Sequence, residues 1–407
     1  MTTLPADQRS VAGGRSLDRW LAEHAEGLVA LRRNIHAHPE ASGQEHATTE
    51  LVRERLELAG LRPRVLSSGT GLVCDLVPPG TRAGEPVMAL RADLDALAMP
   101  DEKDVPYRSQ VSGVSHACGH DVHTTVVLGV ALYYAHHLDE VPGPLRFVFQ
   151  PAEERVPGGA LDVLRDGGLA GVDAIVGLHC EPKLDVGTVG VRAGAISSAA
   201  DMARIVLSGP GGHTARPELT VDLVALAARI VGELPAAVGK RLDDPGDVKI
   251  VFGSLHAGDA ANVIPTHCEL KASIRTPSLA VWESLPELVA DAVDELTAGS
   301  GADCELDYTH GVPPVVNDAA VTDVVARAAA GEFGTESVTA VEQSWGGDDF
   351  AWFTREVPGS YVRLGVRTPG GPTLDLHAGH FDVDERSIDL GVRLLAATVD
   401  EFFDAVR

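Results

Sequence analysis

The feature that most constrains the fold is a set of short apolar segments, each followed by residue types that bind metal ions. Leu145–Gln150 leads into Glu153 and Glu154, and Ala174–Leu178 leads into His179. Short apolar runs between helical patterns are typical of buried strands in an open α/β sheet. Such sheets bind ligands at the carboxyl ends of their strands, so the pattern predicts an α/β fold with a site at one sheet edge.

Two further segments fit the same pattern. Asp93 and Asp95 follow a predicted strand, Val87–Arg91, and His377 lies in the loop after a predicted strand, Tyr361–Gly365. The two aspartates either orient ligand histidines or simply cap a loop. His179 taken alone would also suit a core histidine that bonds to backbone.

A third kind of segment combines a cysteine with histidines. In an extended stretch His116, Cys118 and His120 would share one face, because side chains two apart point the same way. Asp121 is expected to cap a helix running from Val122 to about Leu138, whose positive end would favour a thiolate. The alternative interpretation is a buried cysteine near surface histidines.

Together these segments offer a thiolate, imidazoles and a carboxylate, with a second carboxylate beside it. That set suits a pair of borderline divalent cations. One of Glu153 and Glu154 would bind metal while the other contacts an attacking water, unless the pair is only a solvated surface. The sequence therefore predicts a metal-dependent amide hydrolase.

The middle of the chain has a different character. Its predicted order is β-α-β-β-α-β, the split βαβ arrangement of a small domain. The strands are Met202–Leu207, Val248–Leu255, His267–Ile274 and Cys304–Tyr308, and the helices are Val221–Leu234 and Leu279–Leu296. We predict a domain over residues 199–311, inserted into one formed by residues 1–198 and 312–407.

Three residues of this insertion are candidates for substrate binding. Ser208–His213 is a glycine-rich turn that presents His213 and lacks the lysine of a phosphate-binding loop. Asn262 and Arg275 follow. Arg275 would clamp a substrate carboxylate with two hydrogen bonds, or would form a salt bridge at a strand edge.

Before the first strands, the spacing of apolar residues predicts a helix over residues 17–38. Ser42–Glu45 has the pattern of a capping box that opens a second helix, which ends at Ala59 before Gly60.

The composition of the chain disfavours two classes of binding partner. A formal charge of −26 disfavours nucleic acid and anionic membranes, and no apolar run is long enough to span a bilayer. Five scattered cysteines do not make a disulfide framework. Met1 to Ser16 is polar and lacks the apolar core of a secretory leader, so we expect a cytoplasmic protein.

The motifs in combination resemble the aminoacylase, acetylornithine deacetylase and glutamate carboxypeptidase superfamily of metallopeptidases. The nearest branch is similar to hippurate hydrolases and indoleacetyl-amino-acid hydrolases. The segments that carry the resemblance are Leu31–Glu40, Arg91–Leu97, His116–His123, Phe149–Glu154 with Gly158–Ala160, and Asn262–Pro265.

The resemblance implies a zinc-peptidase-like catalytic domain with an inserted ferredoxin-like lid that forms a homodimer. It implies two divalent ions (manganese, zinc, cobalt or nickel), held by Cys118, His120, Glu154, His179 and His377. It also implies that Glu153 is the catalytic base and that His213 reaches the partner's active site. Asn262 and Arg275 would help hold an N-acyl amino acid.

The chain departs from this branch in two places. Gly347–Phe350 reads Gly-Asp-Asp-Phe where the branch has Ser-Glu-Asp-Phe. Leu376–Phe381 reads Leu-His-Ala-Gly-His-Phe where the branch has Leu-His-Ser-Pro-x-Phe, so the loop around His377 is altered and His380 adds an imidazole. Three alternatives stay open: a cysteine hydrolase with Cys118 as nucleophile, a catalytically silent binding protein, and a carbamoyl-amino-acid hydrolase. Carbamoyl-amino-acid hydrolases usually have His-x-Asp where this chain has Asp93-Leu94-Asp95.

Overall fold

The computed structural model describes residues 16–407, which form an eight-stranded sheet and a separate four-stranded sheet with their helices. The strands are β1 Arg64–Val65, β2 Leu72–Leu76, β3 Met88–Asp93, β4 Leu145–Gln150, β5 Ala174–Asp185, β6 Val189–Val191, β7 Gly194–Ala195, β8 Ala200–Ser208, β9 Gly212–His213, β10 Lys249–Ala257, β11 Val263–Ile264, β12 His267–Arg275, β13 Asp303–Val312, β14 Val316–Asn317, β15 Val338–Ala340 and β16 Gly359–Arg367. The α-helices are α1 Ser16–Ala37, α2 His46–Leu58, α3 His120–His136, α4 Ala160–Arg165, α5 Leu223–Gly239, α6 Leu279–Thr297, α7 Ala319–Phe333, α8 Ala351–Glu356 and α9 Arg386–Val406.

The large sheet has the order β1-β2-β4-β3-β5-β16-β6-β15. Its four central strands, β4, β3, β5 and β16, are parallel. Successive residues of a strand face opposite sides. Leu90 therefore belongs to the core shared with α1, α2, α3, α7 and α9, whereas Ala89 belongs to the core shared with α4 and α8. Burial on both faces explains why these strands are continuously apolar, and their carboxyl ends meet at one edge.

The inserted unit confirms the predicted order of elements. Its antiparallel sheet runs β10-β12-β8-β13, and α5 and α6 cover one face. This sheet has its own apolar core, in which Ile205, Leu270 and Leu285 are fully buried. The mixed α/β architecture with an inserted lid is therefore confirmed, while the domain limits 1–198, 199–311 and 312–407 stay a prediction.

The capping box at Ser42–Glu45 was a wrong prediction. Helix α2 begins at His46, and no side chain at Glu45 caps it. The Ser42 hydroxyl donates instead to Asp95, at 2.6 Å. The carboxylate of Glu40 accepts from the first free amides of the helix, those of Ala47 and Thr48, so an upstream residue satisfies them.

Two other boundaries differ from the predictions. Gly119, with a φ of +87°, precedes α3, and Asp121 lies inside its first turn, where it pairs with the buried Arg32 at 2.7 Å. Strand β5 continues through His179 to Asp185, because β16 pairs with it beyond the point where β3 ends. His179 therefore lies within a strand rather than after one.

Among the helices of residues 16–407, none combines the length and apolarity that a bilayer crossing requires. The polar segment used above to argue against a leader, up to Arg15, lies outside the described residues. The five cysteines are free thiols, and those other than Cys118 pack into or against the two cores, as expected.

Candidate metal centre

Five side chains from distant parts of the chain meet at the carboxyl edge of the large sheet. Cys118 Sγ lies 3.4 Å from His179 Nε2. Glu154 Oε1 lies 3.9 Å from His120 Nε2 and 3.3 Å from His377 Nε2. Two groups of mutually close donor atoms result, one of Cys118, His120 and His179 and one of Cys118, Glu154 and His377. Cys118 belongs to both groups, so its sulfur is the donor that the two groups share.

Two of the donor atoms that face this centre lack hydrogen-bond partners among the described residues. Nε2 of His120 and Oε1 of Glu154 are buried, and neither has a hydrogen-bond partner among the described residues. Unsatisfied buried polar atoms are rare in proteins, and a metal site is one explanation for them. Sulfur, imidazole and carboxylate donors at these separations fit two divalent cations.

Asp95 fixes the orientation of His120. Nδ1 of His120 donates to the Asp95 backbone oxygen at 2.9 Å and lies 3.2 Å from its carboxylate, so Nε2 faces the centre. Burial opposes a charge on His120, yet Asp93, Asp95 and Glu154 raise its pKa to about 10. The same excess of negative charge would attract a divalent cation.

His179 presents its Nε2 to the centre for a related reason. Its Nδ1 donates to the Cys180 backbone oxygen at 2.7 Å, which leaves the Nε2 lone pair facing Cys118. Burial, and then the charge of Arg363, hold the pKa of His179 well below its ordinary value, so the ring is neutral. A neutral imidazole with its other nitrogen held is the form that binds metal.

The expectation of a thiolate favoured by the helix is not met in the protein alone. Burial raises the pKa of the Cys118 thiol well above its ordinary value, and Glu154 and Glu153 raise it further. Burial is the largest cause of the raised pKa, ahead of both carboxylates. A cation at the centre would reverse the balance, because metal coordination deprotonates thiols.

Backbone strain is concentrated beside the centre. His377 and Ala152 are the non-glycine residues with positive φ among residues 16–407, at 56° and 54°. The His377 amide donates to the Ala117 backbone oxygen at 2.8 Å, which holds the strained loop. Such strain is typical of functional sites, where the surrounding structure imposes it.

Other histidines of these segments have different environments. His116 is buried away from both donor groups, because Ala117 and Cys118 form a turn rather than the extended segment predicted. His123 uses both ring nitrogens, one with Asp93 at 2.7 Å and one with the Cys180 amide at 2.9 Å. His123 therefore supports Asp93 and has no free nitrogen for a metal.

The centre opens into a cavity of about 540 Å³ between the two sheets. Glu153 lines it and lies 3.8 Å from His120 Nε2. Burial, followed by the charges of Asp348 and Glu154, raises the pKa of Glu153 well above its ordinary value. A carboxyl group in such a site can hold a proton and give it up when cations change the local charge.

Sequence reasoning missed the charged network beneath the cavity. Arg91 is fully buried and pairs with Asp93 at 2.6 Å and with Asp349 at 3.1 Å. Gln150 joins it by donating to Asp349 at 2.7 Å. The alternation of Arg91 with Asp93 on one strand face was a signal, but only the fold reveals that Asp349 completes the network.

The structure explains the glycine in one of the two departures from the hippurate hydrolase branch. A side chain at Gly347 would place its first carbon 2.7 Å from Ala200 and 3.3 Å from the Arg275 guanidinium. Glycine therefore makes room for the inserted domain and for Arg275. The other departure, His380, is exposed and does not line the cavity.

The candidates in the inserted domain divide into two groups. Arg275 lines the cavity, and its Nε donates to Ser273 at 3.2 Å, so it is not a strand-edge salt bridge. His213 and Asn262 are exposed, lie on or beside the small sheet of β9 and β11, and do not line the cavity of their own chain.

The chain is similar to known proteins in both sequence and fold. The model of Peptidase family M20/M25/M40 matches residues 89–401. A protein of Rhodococcus jostii (strain RHA1), named as a candidate glutamate–cysteine ligase 2-3, is 44% identical over 372 residues, which are 91% of this chain and 46% of the relative. The chain thus spans about half of that longer protein.

Two Bacillus subtilis proteins match over nearly their whole length. The N-acetylcysteine deacetylase of strain 168 is 36% identical over 91% of this chain and 95% of its own. The YXEP protein, described as a dinuclear metal binding peptidase from the M20 family, has a solved structure. Its TM-score is 0.81 at 31% identity, over 94% of this chain and 99% of that one. The chain therefore belongs to Peptidase family M20/M25/M40 and is a hydrolase that acts on amides.

Proposed function

We propose that the protein hydrolyses the amide bond of N-acyl amino acids at two divalent cations. The observation that carries the proposal is the convergence of five donors in two groups that share Cys118. The cations, manganese, zinc, cobalt or nickel, would be held by Cys118, His120, Glu154, His179 and His377. When bound, they would act as Lewis acids and lower the pKa of water toward neutrality.

Glu153 is the proposed proton carrier. It lines the cavity beside His120. The neighbouring carboxylate, that of Glu154, is the one whose Oε1 lies near the ring nitrogens of both His120 and His377. Glu153 takes a proton from the attacking water and returns it to the leaving amine. The proposal gives the two adjacent glutamates different tasks, with Glu154 as ligand and Glu153 as base and acid.

Arg275 would select the amine side of the substrate. Its guanidinium lies in the cavity, where it can bind the free carboxylate of an amino acid with two hydrogen bonds. The name of the Bacillus subtilis deacetylase, which specifies an N-acetylated amino acid, supports this substrate class.

His213 and Asn262 would act from a second copy of the chain. Both are exposed on the inserted domain and absent from the cavity of their own subunit, which is compatible with a dimer in which they reach the partner's site. His213 would then stabilise the oxyanion that forms as the carbonyl is attacked. The homodimer and the cytoplasmic location stay predictions.

A cysteine nucleophile is the strongest rival mechanism. The contact between Cys118 and His179 has the required geometry, at 3.4 Å. The raised pKa of the Cys118 thiol and the lowered pKa of His179 oppose the thiolate–imidazolium pair that such a mechanism needs.

Removal and return of metal tests the proposal. Chelation should abolish hydrolysis of a panel of acetyl- and aryl-acyl amino acids, and manganese, cobalt, nickel or zinc should restore it. Activity that survives chelation and disappears on thiol alkylation would contradict metal catalysis. A metal-loaded protein that binds these compounds without hydrolysing them would indicate a silent binding protein.

A further inference from the structure

Arg363 is a buried cation in the cavity wall whose role is unassigned by the proposed mechanism. It lies on β16, directly opposite His179 of β5 in the parallel register. Only 9% of the residue is exposed, and that part faces the cavity. Its guanidinium lies over the Tyr361 ring, 5.5 Å from the centroid.

The other two buried arginines of residues 16–407 have a different environment. Arg32 lies 2.7 Å from Asp121, and Arg91 lies 2.6 Å from Asp93, so each is neutralised by a carboxylate. Within residues 16–407, no carboxylate oxygen lies within 4.0 Å of the Arg363 guanidinium. A buried charge without a partner is costly, so a group that neutralises it on binding would be favoured.

The nearby Glu181 does not neutralise the charge of Arg363, so a ligand can do so. Glu181 lines the same cavity, but its carboxylate accepts from the Lys183 amide at 3.1 Å and forms no ion pair with Arg363. A guanidinium has planar N–H donors that bind a carboxylate through two parallel hydrogen bonds. At the wall of a small-molecule cavity, such a group is suited to bind a carboxylate of the ligand.

We propose that Arg363 binds a substrate carboxylate additional to the one bound by Arg275, so that preferred substrates carry two carboxylates. This inference rests on the proposed hydrolysis of N-acyl amino acids. The second carboxylate has two sources: the side chain of a dicarboxylic amino acid, or the far end of a dicarboxylic acyl group such as succinyl.

Two pairs of near-isosteric compounds separate these sources. The first pair is N-acetyl-L-glutamate and N-acetyl-L-glutamine, and the second is N-succinyl-L-alanine and N-succinamoyl-L-alanine. In each pair only the charge of the second group changes. We expect the acid to exceed its amide in kcat/KM by about 10- to 100-fold in one pair, as is typical of a charge-assisted hydrogen bond.

Arg363→Met should reduce that ratio to about 1, because it removes the charge that distinguishes the acid from the amide. Arg363→Lys should retain part of the ratio, because it keeps the charge without the planar fork. Arg367→Met, on the same strand but paired with Asp185 outside the cavity, is the matched control and should keep the wild-type ratio.

The inference is overturned if wild type prefers neither acid, or if the preference survives in Arg363→Met. An equal loss on acids and amides in both Arg363 variants would also overturn it, since it would indicate a structural role. If no compound is hydrolysed, the proposed function fails instead. Calorimetric binding of the same four compounds then decides on Arg363, with the same expected ratio in dissociation constants.

Discussion

The carboxyl edge of the large sheet and the inserted domain hold their polar side chains in different ways. At the sheet edge, Cys118, His120 and His179 are buried, and hydrogen bonds fix the orientations of the two histidines, as Asp95 fixes His120. On the inserted domain, His213 and Asn262 are exposed and do not line the cavity of the same chain. Of the three candidates on the inserted domain, Arg275 is the one that lines the cavity.

This difference indicates a division of tasks. The sheet edge is preorganised, so its chemistry depends on positions set by strands that are buried on both faces. The inserted domain contributes through its position relative to the cavity, which the motion of a lid or a second subunit can change. Variants in the two regions should therefore fail in different ways.

The largest effect is expected at the sheet edge. Glu153→Gln should lower kcat by about 100- to 10,000-fold, since it removes the group that carries the proton. Metal content, measured by elemental analysis, should match wild type because Glu154 is unchanged. Glu57→Gln, on the exposed face of α2, is the control. Near-normal turnover in Glu153→Gln would remove that residue from its role.

The second effect separates the two regions. His213→Ala should lower kcat by about 100- to 1000-fold, as loss of one oxyanion donor does. A mixture of equal amounts of the His213→Ala and Glu153→Gln proteins, exchanged into mixed dimers, should recover about one quarter of wild-type activity, because half of the dimers then contain one complete site.

The control for His213 is His256→Ala, an exposed histidine on β10 of the same domain. It should retain full activity. If mixing gives only the average of the two weak activities, His213 does not act across a dimer, and the inserted domain would be a passive cover.

A third effect tests whether the sheet edge is preorganised. Asp95→Asn should weaken metal affinity by about 10- to 100-fold, because it disturbs the group that orients His120. Titration of the metal-free protein measures this. Asp75→Asn, an exposed change on β2, serves as the control. Unchanged affinity would mean that packing alone holds His120.

The smallest effect concerns the contact between the two regions. Gly347→Ser should raise KM for acyl amino acids by up to about 10-fold, since the new side chain would displace Arg275 or Ala200. Little change in kcat is expected, because Glu153 is untouched. Gly346→Ser, where an added carbon meets only the hydroxyl of Ser344, is the matched control.

The main elements could be predicted because their patterns are strong. Leu145–Gln150 was bounded correctly from its continuous apolar run, and the order of the inserted unit followed from alternating strands and amphipathic helices. The two-residue strands β9 and β11 were missed, since so few residues show no period.

The remaining errors have tertiary causes. Ser42 fits a capping box locally, yet Asp95, which is distant in sequence, takes its hydroxyl. His179 was expected after a strand, but pairing with β16 prolongs β5. The roles of Arg91 and Asp349 depend on a contact between residues 258 positions apart, which no local pattern records.

The position of His377 has a consequence for biosynthesis. This donor follows the inserted unit in the chain, whereas Cys118 and His120 precede it. During translation the nascent polypeptide therefore carries an unfinished cation site until the ribosome has made the whole insertion and the last sheet strand. Loading with metal is thus expected to come late, after most of the molecule has already folded.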